Sequence, residues 1–119
     1  MTAELRDAQR DEFCQVLAMV PPDSPTLCAG WTAFDLAAHV WLLNHGPRSW
    51  LGIVLPPLAW FTTSEIRRVR QRFSYAGLVE EIRTGPASLK CMPTDSWEDH
   101  RHALGEYFIH TEDVRRPNR

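Results

Sequence analysis

The sequence predicts an all-helical protein, and three observations carry that expectation. Leu5, Ala8, Phe13, Val16, Leu17 and Val20 recur at helical spacing and gather mainly on one side, with charges elsewhere. The breakers Pro21-Pro22, Gly46-Pro47, Gly85-Pro86 and Pro117 divide the chain into segments of helical length. No stretch alternates apolar and polar residues in the strand period for long.

The elements follow in order. The first helix is expected from about Ala3 to Met19, stopped by Pro21 and Pro22. A turn-rich loop, PPDSPTLCAG, leads to the clearest helix start in the chain. There Thr32 is a natural N-cap, and Asp35 three residues later can bond back toward it, a variant of the capping box. Trp31 and Leu36 flank the cap as a hydrophobic staple, and the helix runs through FDLAAHVWLLN to Gly46-Pro47. Residues 48 to 61, RSWLGIVLPPLAWF, read as an apolar connection. A third helical region is expected from Thr62 or Thr63, with Ile66, Val69 and Phe73 inward and Arg67, Arg68, Arg70 and Arg72 outward. A break near Ser74 to Gly77 precedes a further turn or two, LVEEIR. The last helix is expected from Trp97 to Arg115, capped by Asp95 or Ser96, with basic residues at its negative end. Four helical segments in 119 residues point to a bundle forming one domain over 1–119.

Composition narrows the function classes. A net charge of −2 provides no global field to attract nucleic acid or an anionic membrane. The run Arg67 to Arg72 lacks interleaved aromatics and reads as a solvated helix face, so no nucleic-acid groove is expected. The N-terminus carries Glu4, Arg6, Asp7, Arg10, Asp11 and Glu12 instead of an apolar signal segment, and Trp50 to Phe61 is too short and too rich in Pro to span a membrane. Cys14, Cys28 and Cys91 are odd in number and lack CxxC spacing, which suits reduced thiols in a cytoplasmic protein. Trp50, Leu51, Trp60 and Phe61 either form a homodimer contact or bury against the bundle.

One spacing carries chemistry. In GEYFIHTED, Glu106 and His110 lie four apart, so a carboxylate and an imidazole share one helical face and can converge on an ion. The same spacing also describes an ordinary solvated pair. His39, within the apolar stretch DLAAHVWLL, is either a third ligand or a histidine bonded inside the core. Two histidines and one carboxylate make a three-ligand site for Zn²⁺, Fe²⁺, Mn²⁺ or Ni²⁺ with positions open for water or substrate. His45, His100 and His102 read as surface histidines, and the three cysteines as ordinary thiols. Thr111, Glu112 and Asp113 either bond to His110 or face water, while Tyr107 and Trp41 are expected to pack in the core near the site.

Three blocks also carry a resemblance. LCAGWTAFDLAAHV (Leu27 to Val40) resembles the second-helix signature of the DinB-like metal-binding superfamily, in the branch typified by the N-terminal domain of mycothiol-dependent maleylpyruvate isomerase. GIVLPPLAWFT (Gly52 to Thr62) and EYFIHTEDVRR (Glu106 to Arg116) are similar to a small actinobacterial group of metal-binding proteins in that branch. The resemblance implies an antiparallel four-helix bundle whose metal is held by His39, Glu106 and His110. It implies a divalent metal, Zn²⁺ first and Ni²⁺, Mn²⁺ or Fe²⁺ as alternatives, that activates the thiol of a cofactor such as mycothiol toward an electrophilic small molecule. A mycothiol-dependent isomerase or transferase is therefore the leading expectation. A non-catalytic helical module stapled by its metal and a metal-dependent hydrolase are the alternatives. The end of the second helix, Leu43 to Pro47, departs from the arginine-rich pattern of that group. Its members commonly continue past the equivalent of Arg119, so the expected bundle includes the case of one lacking a C-terminal extension.

Overall fold

A computed structural model describes residues 2–28, 30–45, 59–85 and 97–118, with side chains described for 4–28, 30–44, 62–85 and 105–118. Five α-helices and a terminal 3₁₀ turn make up the regular structure of these residues: α1 (Thr2–Ala18), α2 (Ala33–His45), α3 (Ala59–Arg72), α4 (Tyr75–Thr84), α5 (Trp97–Arg115) and the turn Arg116–Asn118. The only pairing of strand type among them is an isolated bridge between Pro25 and Thr32. No helix of the described residues is long and apolar enough to cross a membrane.

The capping box at α2 forms as its spacing predicts. Thr32 N donates to Asp35 Oδ2 at 3.0 Å and Asp35 N donates to Thr32 Oγ1 at 3.2 Å, so two amides at the start of the helix find acceptors. Replacing Thr32 by Ala leaves one of those amides without a partner. It is expected to lower stability by about 1 kcal/mol, read as an earlier urea midpoint at unchanged slope.

The third helical region differs from its expectation in two ways. It begins at Ala59, about a turn before Thr62, and it is two helices rather than one with a loose tail. The break is short because Ser74 caps α4 at once, its side chain accepting from Gly77 N at 3.0 Å. Gly77 therefore lies inside the first turn of α4 instead of in a loop. The readings placed on Trp50, Leu51 and Cys91 lie outside the described residues, as do the side chains of His45, Trp60, Phe61, His100 and His102.

The core gathers one face from each helix: Phe13, Cys14 and Leu17 of α1, Leu36, Val40 and Leu43 of α2, Ile66 and Val69 of α3, Leu78 and Ile82 of α4, and Tyr107 and Val114 of α5. Helix α1 packs on α5 and α4, and α2 packs on α3 and α4. The loop between α1 and α2 joins these groups. Leu27 N donates to the Asp113 carbonyl of α5 at 2.9 Å, while Ala33 N and Phe34 N donate back to Ser24 O and Pro22 O, each at 2.9 Å. This loop, α2 and α5 together supply the residues of the candidate site.

Candidate metal centre

Two residues of α2 and α5 meet in the interior. His39 is only 4% exposed and His110 only 8%, and their rings pack edge to face with centroids 5.4 Å apart. Trp31, at the loop's end, covers the His39 ring at 4.9 Å. The Nδ1 atom of His39 is buried without a hydrogen-bond partner. An orphaned imidazole nitrogen at that depth carries a desolvation cost that a ligand would remove.

The four-residue spacing delivers Glu106 to His110. Nε2 of His110 lies 3.0 Å from Glu106 Oε2, an ion-pair distance, although the ring N–H is out of line for a hydrogen bond. On its other side, His110 Nδ1 lies 2.9 Å from Asp113 Oδ2. This second contact holds the ring's orientation and keeps Nε2 toward Glu106, the arrangement in which metal-binding histidines commonly carry an outer carboxylate. Of Thr111, Glu112 and Asp113, only Asp113 has this role. Thr111 Oγ1 donates to the Tyr107 carbonyl at 2.6 Å, and Glu112 pairs with Arg115 at 3.4 Å and Arg116 at 3.3 Å.

The two histidines sit in opposite electrostatic situations. Burial, reinforced by the neighbouring positive His110, pushes His39 down to about 4 despite the Glu106 charge. For His110, burial alone would also disfavour the charged ring. The nearby Cys28, the adjacent Glu106 carboxylate and the bond to Asp113 outweigh it and raise the pKa to about 10. A divalent ion would replace a proton held between carboxylates at His110 and find a neutral imidazole at His39.

The three residues expected as ligands are thus neighbours, but they are not the tightest donor group. Among the described residues, the metal-ligating atoms that all fall within 4.8 Å of one another belong to Cys28, His110 and Asp113. Cys28 Sγ donates to Asp113 Oδ2 at 3.4 Å. Sequence spacing had no means of finding this contact, since Cys28 and Asp113 are 85 residues apart. A tight turn brings Cys28 in: Gly30 adopts φ +81°, and Trp31 N donates back to Cys28 O at 2.9 Å. Thr26 Oγ1 braces the same turn, accepting from Cys28 N at 3.2 Å and donating to Trp31 O at 2.8 Å. Cys14 behaves as the ordinary thiol expected of it, fully buried beside the Val79 carbonyl and pushed up to about 11 by burial.

Other expectations near the site also find their places. Tyr107 is buried in the core, its hydroxyl accepting from Asn44 Nδ2 at 2.9 Å, and Trp41 packs on Phe73 at 5.4 Å. The arginines of α3 lie on the exposed face, where Arg70 pairs with Asp35 at 2.8 Å and stacks over Phe34 at 4.7 Å. Arg67 and Arg70 border a cleft of about 640 Å³, which Trp31, Phe34, Thr63 and Gln71 also line.

Comparison with known proteins gives no match: no family model, no curated protein and no solved structure matches the chain.

Proposed function

We propose that the chain is a divalent-metal-binding helical protein of the DinB-like kind, an antiparallel four-helix bundle in its essentials. Its metal ligands on this reading are His39, Glu106 and His110, and it works as a mycothiol-type thiol-dependent transferase or isomerase. The observation that carries this reading is the buried, unpartnered Nδ1 of His39 beside a His110 ring with a carboxylate oxygen about 3 Å from each nitrogen. Two imidazoles and a carboxylate suit Zn²⁺, with Ni²⁺, Mn²⁺ or Fe²⁺ as alternatives. A bound ion would supply the Lewis acidity that lowers a thiol's pKa near neutral pH.

The chain's own residues would do the rest. Asp113 orients His110, Trp31 shields His39 from water, and the cleft beside Trp31 offers Arg67 and Arg70 to an anionic portion of a small electrophile. A second reading, a metal that only ties α2 to α5, is favoured by the depth of His39 and by the presence of Cys28 as a further donor. A thiol added to metal-loaded protein separates the two, because only the enzyme reading requires external sulfur to reach the ion.

Metal content by plasma mass spectrometry tests the common core of both. About one ion per chain is expected in untagged wild type, and loss of most of it in His110→Ala. Wild type that stays empty when offered Zn²⁺, Ni²⁺, Mn²⁺ and Fe²⁺ would overturn the reading.

A further inference from the structure

The donor group assembled most tightly among the described residues shares His110 with the proposed site but uses its other nitrogen. At Asp113 Oδ2 two contacts meet, 3.4 Å from Cys28 Sγ and 2.9 Å from His110 Nδ1, and all three ligand atoms lie within 4.8 Å of one another. A tetrahedral ion with a metal–sulfur bond of about 2.3 Å and metal–nitrogen and metal–oxygen bonds of about 2.0 Å separates such donors by roughly 3.2–3.6 Å. Two of the three donor pairs are therefore close to ligand spacing already, and the third lies within 4.8 Å.

Two further features set this cluster apart from a chance meeting of side chains. Cys28 is held in place by backbone: Leu27 N donates to Asp113 O, Cys28 O accepts from Trp31 N, and Thr26 ties both ends of the turn. Beside the cluster lies His39, a 4% exposed side chain whose Nδ1 has no partner, with its ring against that of His110.

We propose that Cys28, His110 and Asp113 form a thiolate-bearing metal site that takes a borderline ion of the Zn²⁺, Co²⁺ or Cd²⁺ class. Thiolate, imidazole and carboxylate together select such ions over Mg²⁺, Ca²⁺ or Mn²⁺. The ion displaces the Cys28 thiol proton and the His110 Nδ1 proton, which leave to solvent. The inference does not need Glu106 or His39 as ligands. Because both donor sets depend on the one His110 ring, the chain holds its ion in one set or the other, and the choice reports on the ion's softness.

Titration of the reduced, chelator-stripped chain with Co²⁺ tests this directly, because only a thiolate ligand produces intense near-ultraviolet charge-transfer absorbance. The band is expected to saturate at one equivalent in wild type and in the Cys14→Ser/Cys91→Ser double variant. It should disappear in Cys28→Ser, persist in Glu106→Gln, and require at least roughly tenfold more Co²⁺ in Asp113→Asn. If Cys28→Ser does not fold, the double variant decides alone, since Cys28 is then its one thiol. Co²⁺ bound without the band, or a band retained in Cys28→Ser, overturns the proposal and leaves the His39, Glu106 and His110 set standing. No Co²⁺ bound at all overturns both.

Discussion

In the presence of a chelator, the protein is expected to be most stable near pH 6.5 and to lose stability on both sides. The two buried histidines cause the two limbs. His110 has a folded pKa raised to about 10 from an ordinary 6.5, so its contribution is fully present below 6.5 and is lost as pH rises toward 10. His39 has a folded pKa lowered to about 4, so the unfolded chain takes up a proton that the folded chain refuses between 6.5 and 4. Each pH unit crossed in these windows costs up to about 1.4 kcal/mol, so moving from pH 6.5 to 8.5 should remove on the order of 2 kcal/mol. That is a large part of the 5–15 kcal/mol or so that holds a typical domain together. Urea unfolding at pH 5, 6.5 and 8.5 measures the curve. In His39→Leu the acid limb should flatten while the alkaline limb stays. A wild-type curve that is level from pH 5 to 8.5 would remove the basis for both assignments.

The second large effect is expected at Tyr107, the residue next to Glu106 in sequence but turned into the core. Its side chain is 1% exposed, its ring lies 6.2 Å from that of Phe13, and its hydroxyl is the acceptor for the buried Asn44 amide. Tyr107→Ala removes that packing between α1 and α5 and strands the Asn44 donor, a loss of about 3–5 kcal/mol. Tyr107→Phe keeps the ring and loses the hydroxyl with its bond from Asn44, about 1–2 kcal/mol. Thermal or urea unfolding should rank the variants in that order. Metal content of Tyr107→Phe should match wild type, because the hydroxyl serves the core and not the ion; a metal-free Tyr107→Phe would instead place Tyr107 in the site.

Much of the architecture was legible residue by residue. The Thr32–Asp35 box set the start of α2, Pro21-Pro22 ended α1, and the last helix runs from Trp97 to Arg115 as its sequence suggests. These features are local: a cap, a breaker and a 3.6-residue period act within one or two turns, so sequence alone contains them. The early start of α3 at Ala59 was not legible, because Pro56, Pro57 and the apolar run before it mask where a helix can begin. The division from α4 was half legible: Ser74 marked a break, but its role as a cap that restarts the helix at Tyr75 depends on a contact with Gly77 N.

The site divides along the same line. Sequence by itself determined that Glu106 and His110 share a helical face and that His39 sits in an apolar stretch where a bare imidazole is out of place. It also put Asp113 one turn from His110, without deciding whether that carboxylate turned in or out. Only the tertiary structure decided that His39 packs against His110 with its Nδ1 unpartnered, and that Cys28 meets Asp113 across 85 residues of chain. The physical reason is that helical period fixes direction around one axis and says nothing of which axes touch. The approach of α2 and the Cys28 turn to α5 is set by core packing and by the backbone bond from Leu27 to Asp113.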